Sequence, residues 1–153
     1  NLALLLARQG KIEEAERLLR EVLAANPQLA EVAYSLGLLV AESGRIDEAA
    51  ALLTRAAEGM PQNARAAYNA GLALSQFGHA AEAERMLRRA VTLDPSSYDI
   101  LFALGDLLLR QGRLAEVGSI ADRMATIDAA RPEAAQLRGA AIDPAVEHHR
   151  SRR

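Results

Sequence analysis

The chain has no cysteine, no tryptophan, and only three tyrosines and two phenylalanines among its 153 residues. Without cysteine there are no disulfides, no thiolate metal sites and no cysteine nucleophile. With so few rings, a core cannot be built around large aromatics. No apolar run approaches the ~20 residues that a membrane-spanning helix needs. The formal net charge of −2 gives no global basic field, so general nucleic-acid binding is disfavoured. Lysine is also scarce: Lys11 stands alone against a large excess of arginine, which reads as the coding bias of a GC-rich genome. The opening residues Asn1 to Arg8 lack the basic region and cleavage site of a signal peptide. Such a chain fits any compartment, and the cytoplasm is the working expectation.

The chemical inventory is equally sparse. His79 follows Gly78 in an expected turn and is read as solvated. His148 and His149 are adjacent near the chain end, and neighbours do not share a helix face, so zinc there would need ligands from outside. No phosphate-cradling glycine motif is present. Glu13-Glu14 and Asp47-Glu48 stand where carboxylates favour a helix N-terminus. Ser35 and Ser75 have no histidine at a plausible distance. No enzyme constellation emerges, and no catalytic, metal or cofactor site is expected.

What is abundant is alanine, the commonest residue of the chain, and regular punctuation. Pro27, Pro61 and Pro95 recur at one fixed interval. Gly10, Gly44, Gly78 and Gly112 keep that interval, as do Gly37, Gly71, Gly105 and Gly139. A fixed period of about 34 residues marks a repeat array in which each unit packs on its neighbours. In Ala64 to Ser97, residues Ala67, Ala70, Gly71 and Leu74 share one helical face over Ala64–Phe77. Gly78 ends that helix in a left-handed turn. Ala83, Leu87, Ala90 and Val91 share a face over a second helix, Ala80–Leu93, which Asp94-Pro95 stops. The Gly71 position recurs as Ala3, Gly37 and Gly105. The Ala83 position recurs as Ala15, Ala49 and Val117, the Leu87 position as Leu19, Leu53 and Ala121, and the Ala90 position as Val22, Ala56 and Met124. Small residues recur where two helices approach closely, and leucines where space must be filled.

On these residues, with the Glu-Ala pairs Glu14-Ala15, Glu48-Ala49 and Glu82-Ala83, the chain resembles the tetratricopeptide repeat family over about residues 1 to 128. The unit Ala64 to Ser97 matches the family pattern at Gly71, Ala83, Leu87, Ala90 and Pro95. Armadillo and HEAT periods are longer, and the ankyrin signature is missing. The usual tryptophan-like position holds Ala33, Ala67 and Leu101, which departs from the family pattern. The implied fold is all-α: a right-handed superhelical solenoid of antiparallel helix pairs with a C-terminal capping helix. The expected layout is repeat 1 over 1–29, repeat 2 over 30–63, repeat 3 over 64–97, a degenerate repeat 4 over 98–131, a capping helix over 132–143 and a polar basic tail over 144–153. Repeat 4 is degenerate because Val117 replaces alanine, Gly118 sits within a helix and Ala129 replaces proline. Pro132 is expected as the first residue of the capping helix. Asn1 falls inside its helix by register, past the expected start, so the chain is expected to be a piece of a longer protein or an ordered core whose ends are lost.

In the family, certain first-helix positions line a concave groove. Carried onto this chain, one such ladder holds Tyr34, Tyr68 and Phe102, and the ladder one turn on holds Leu4, Leu38, Leu72 and Asp106. Residues at i and i+4 are neighbours on a helix, so these form one stripe. Around it lie Arg8, Arg65 and Arg110 against Glu31, Glu42, Asp99 and Asp106, with Asn69 and Gln76 able to bond a peptide backbone. The candidate groove is therefore Tyr34, Leu38, Arg65, Tyr68, Asn69, Leu72, Gln76, Phe102, Asp106 and Arg110. The mixed rim disfavours a strongly acidic ligand. The chaperone-tail clamp of some family members is not expected, because only Arg65 and Asn69 fit it. The stripe has three readings at this point: packing between repeats, partner binding, or cover by another part of the protein or a second copy. The expected function is a non-catalytic protein-interaction scaffold that takes a peptide or amphipathic helix. One alternative is an accessory domain of a larger transferase or hydroxylase. Another is a self-assembling scaffold, paired through the stripe or the open first helix.

Overall fold

A computed structural model describes residues 2–142, and among them nine α-helices and no strand are present. The helices are α1 (Leu2–Arg8), α2 (Ile12–Ala25), α3 (Ala30–Glu42), α4 (Ile46–Gly59), α5 (Ala64–Phe77), α6 (Ala80–Leu93), α7 (Tyr98–Arg110), α8 (Leu114–Ile127) and α9 (Glu133–Ile142). Asn1 and residues 143–153, with His148, His149 and the expected tail, lie outside the described residues. The chain forms two compact units, Asn1–Arg89 and Ala90–Arg153, which divide within α6.

The helix pairs are closed by one device used four times. Gly10, Gly44, Gly78 and Gly112 have φ of 79°, 82°, 88° and 72°. The amide after each glycine then donates to a carbonyl in the last turn of the helix: Lys11 to Leu6, Arg45 to Val40, His79 to Leu74 and Arg113 to Leu108, at 2.9 to 3.2 Å. This satisfies a carbonyl that the helix end would otherwise leave open. A Cβ on any of the four would meet nothing within 4 Å, so backbone conformation alone calls for glycine there.

In the first unit, α1 packs on α2, α2 on α3, α3 on α4, and α4 on α5. Alanine lets these helices come close. Ala15, Ala49, Ala56, Ala66 and Ala70 are fully buried. Gly37 and Gly71 are pressed so near Leu53 and Leu87 that a Cβ would sit 2.8 and 2.7 Å from the leucine Cγ atoms. Leu53 and Leu87 are 2% and 1% exposed, so leucine fills the notch that glycine leaves. Among the described residues no polar or charged residue is buried.

In the second unit, α7 packs on α8, and α9 packs on both. Tyr98 anchors α9. It is 6% exposed, and its hydroxyl accepts the Ala134 amide at 3.0 Å, an otherwise open donor at the start of α9. The Arg131 guanidinium lies 3.9 Å over the ring centroid. Leu137 from α9 fills the space above Gly105. The helix begins at Glu133, just after the expected start: the Pro132 carbonyl accepts the Gln136 amide at 3.0 Å, so proline flanks the first turn.

One other sequence expectation needs correction. Val22 does not share the burial of its counterparts Ala56 and Ala90; it is 45% exposed where they are fully buried. His79 is exposed in its turn, as expected. Its ring stacks on Phe77, with centroids 4.6 Å apart and planes 11° from parallel, and its Nδ1 lies 3.4 Å from Glu82 Oε1.

Candidate functional site

The first helices α3, α5 and α7 carry the stripe, and the reason is periodicity. Each helix turns one face to its own second helix and another to the neighbouring pair, and the remaining arc is left partly open. Tyr34, Leu38, Tyr68 and Leu72 in the first unit are all half-buried, as are Phe102 and Asp106 in the second. Leu4, on the same ladder in α1, is 51% exposed. Arg65, Gln76 and Arg110 are exposed, and Asn69 is half-buried.

In the first unit a direct hydrogen bond joins two members of the set. Asn69 Nδ2 in α5 donates to Tyr34 Oη in α3 at 2.7 Å. It ties two first helices from successive repeats and fixes the tyrosine ring without sealing it. No motif announces this pair, although its sequence separation is the repeat period plus one. In the second unit, Arg110 Nη2 reaches Asp106 Oδ2 at 3.0 Å, one helical turn apart, so these two charges largely offset each other. Asp99 is engaged by Arg131 at 3.2 Å. Ser35 Oγ donates to the Glu31 carbonyl of its own helix at 3.0 Å. The rim is thus locally neutral, with Arg8 and Arg65 its arginines that make no ion pair among the described residues.

A second pattern escaped sequence reading. Arg55, Arg89 and Arg123 recur at the same interval as the prolines. Each donates to backbone carbonyls closing the second helix of the preceding pair: Arg55 to Pro27, Arg89 to Ala57 and Met60, and Arg123 to Pro95 at 3.4 Å. Ala57 shows the need for this. Its helical partner one turn on would be Pro61, which has no N–H to give. Nothing near these arginines in sequence announces the pattern, because their acceptors lie most of a repeat away along the chain.

Between repeats in the first unit there is also a charged cluster. Glu16 accepts from Arg45 at 2.6 Å and from Arg20 at 2.7 Å, and Glu48 faces both arginines. The Arg45 and Arg20 hydrogen bonds hold the Glu16 carboxyl well below its usual range, at about 2. Among the described residues, no group of three or more His, Cys, Asp or Glu is arranged to hold a metal ion, and no helix is long and apolar enough to cross a membrane.

Two family models described as tetratricopeptide repeat match the chain, one over residues 1–64 and the other over 40–91 and 74–141. The chain belongs to the tetratricopeptide repeat family. Among solved structures, it is similar to MamA (22% identity, TM-score 0.88, covering 94% of this chain and 84% of that one). It is also similar to YrrB, described as a TPR protein with an unusual peptide-binding site (23% identity, TM-score 0.84, covering 91% and 72%). A MamA segment from Desulfovibrio magneticus gives 21% identity and a TM-score of 0.84, covering 97% and 84%. At these identities the likeness concerns the fold. Comparison with curated protein sequences gives no match.

Proposed function

We propose that this chain is a protein-interaction scaffold whose first helices hold an extended peptide or an amphipathic helix of a protein partner. The observation that carries the reading is the stripe in the first unit. Tyr34, Leu38, Tyr68 and Leu72 are large, apolar or aromatic, in register, and left half-buried on helices whose other faces are packed. Large apolar side chains gain about 1.5–3 kcal/mol on full burial, and the part belonging to the still exposed surface remains for a ligand to supply. Tyr34 is held in place by Asn69, so little ordering is left to be done on binding. Arg65 and Gln76 offer donors along one edge. Phe102, with the Asp106–Arg110 pair, makes a shorter contact of the same kind in the second unit. YrrB, which has this fold and a peptide-binding site, supports a peptide as the ligand class. A neutral rim suits a ligand without strong net charge.

The test uses peptides selected from a displayed library against the whole chain, with affinity read by fluorescence anisotropy. Tyr68→Ala combined with Leu72→Ser is expected to weaken selected peptides at least tenfold while circular dichroism stays helical. Peptides that bind the double variant as tightly as the parent chain would sink the groove reading.

A further inference from the structure

One residue on the rim of the first unit runs against its own helix. Glu42 is the last residue of α3 and is exposed. A carboxylate there faces the negative end of the helix dipole, which favours cations instead. No basic residue stands in the last turn of α3, and Arg45, three residues on, is engaged by Glu16 and Glu48. The equivalent places in the other first helices hold Arg8, Gln76 and Arg110, none of them acidic. Glu42 makes no ion pair among the described residues. Nothing in the local structure of α3 calls for its charge.

Glu42 belongs to the face that carries the stripe. Glu31, Tyr34, Leu38 and Glu42 stand at i, i+3, i+7 and i+11 on α3. Eleven residues make about three turns, so the four share one face, with the two carboxylates about 16 Å apart along it. Arg65, Tyr68, Leu72 and Gln76 repeat the pattern on α5, and the Asn69–Tyr34 bond holds the two helices side by side. The result is a pair of ridges with a half-buried apolar middle and exposed polar ends. At the Arg65 end, that cation and Glu31 offset each other. At the other end Glu42 has only the neutral Gln76 for company, so an uncompensated negative charge closes the stripe there.

Resting on the groove reading above, we propose that the occupant is an amphipathic helix that lies along α3 and α5 and ends its apolar stripe in a lysine or arginine paired with Glu42. A helix laid alongside presents side chains at the same pitch as α3 does. Leucine-sized residues on its successive turns then meet Tyr34, Leu38, Tyr68 and Leu72, and a cation one turn beyond them reaches Glu42. That cation also offsets the unfavourable end of the α3 dipole. Glu42 is thus a specificity-determining residue: it selects among apolar helices and sets their direction in the groove, while the stripe supplies most of the affinity.

Three synthetic peptides of about 15 residues, followed by fluorescence anisotropy, test this. Each carries a leucine stripe on an alanine–glutamine background, with lysine, glutamine or glutamate one turn beyond the stripe. The lysine peptide is expected to bind the parent chain about two- to fivefold more tightly than the glutamine peptide, and the glutamate peptide more weakly than either. Glu42→Lys should reverse that order, and about 1 M salt should erase it. Glu42→Gln should remove the preference without lowering the melting temperature, since loss of that charge relieves the helix dipole. A proline in the middle of the lysine peptide should prevent binding. Equal affinity for the three peptides, or affinity unaltered by the proline, would overturn the proposal; if Tyr68→Ala with Leu72→Ser still weakens the same peptides, the groove reading survives that result. Failure of all three to bind the parent chain would overturn it too, and peptides from the displayed library would then decide the groove reading alone.

Discussion

Gly71 and Gly118 both lie inside helices, α5 and α8, yet replacing each with alanine should act in opposite directions. Alanine is favoured over glycine within a helix by about 1 kcal/mol, and this gain is common to both sites. At Gly118 nothing lies within 4 Å of the added Cβ, so the gain stands alone and stability rises by about 1 kcal/mol. At Gly71 the Cβ would fall 2.7 Å from Leu87 Cγ and 2.8 Å from Cδ2, with the Ala83 carbonyl oxygen at 3.3 Å. Leu87 is 1% exposed and cannot yield without disturbing its neighbours. Overpacking of this kind costs about 1–3 kcal/mol. Subtracting one variant from the other cancels the helix preference and leaves the clash. The expected difference is about 2 kcal/mol, or roughly 4–8 °C in melting temperature for a chain of this length. Thermal and urea unfolding followed by circular dichroism measure it. If Gly71→Ala gains as much stability as Gly118→Ala, the close-packing account of the Gly37 and Gly71 positions is wrong.

Two further outcomes follow from side chains that join elements. The Glu16 carboxyl, held at about 2 by Arg45 and then Arg20, is depressed in the folded state. It contributes stability above its unfolded value and loses it as pH falls from about 4.5 to about 2. Glu16→Gln should flatten that part of the stability–pH curve, and an unchanged curve would remove the cluster's role. Tyr98→Phe keeps the ring beneath Arg131 but leaves the buried Ala134 amide without its acceptor. A loss of about 1–2 kcal/mol is expected, with faster amide exchange confined to α9; uniform exchange along the chain would refute the anchoring role.

The helix pairs were legible in sequence because their stops are local. Gly78 and Pro95 act within a few residues of themselves, and α5 and α6 run from Ala64 to Phe77 and from Ala80 to Leu93, where the period and these stops put them. Contacts that span a whole repeat were not legible. The arginines at 55, 89 and 123 find acceptors in another helix pair, and nothing near them in sequence says so. Val22 shows the converse. Its position is a buried one in every later pair, so the pattern predicted burial, but burial depends on what packs against it, and no described residue covers Val22 as fully. For the groove, the period placed Tyr34, Tyr68 and Phe102 on equivalent faces. The Tyr34–Asn69 bond was beyond reach, because it depends on how two helices are offset. The small shift at Pro132 turns on which carbonyl accepts the first helical amide, and that is set by the docking of α9 on Tyr98.

The even spacing of the arginine clasps bears on how such a chain can lengthen or shorten. Excising one whole period between equivalent points would carry Arg89 to the place Arg55 now holds, above Pro27, with every left-handed glycine still at the end of a helix. A cut of any other length would set a clasp against the wrong carbonyls and a side chain where only glycine fits. Whole units are therefore the natural step by which this polypeptide grows or shrinks, and the number of pairs is free to drift while the joint between them is not.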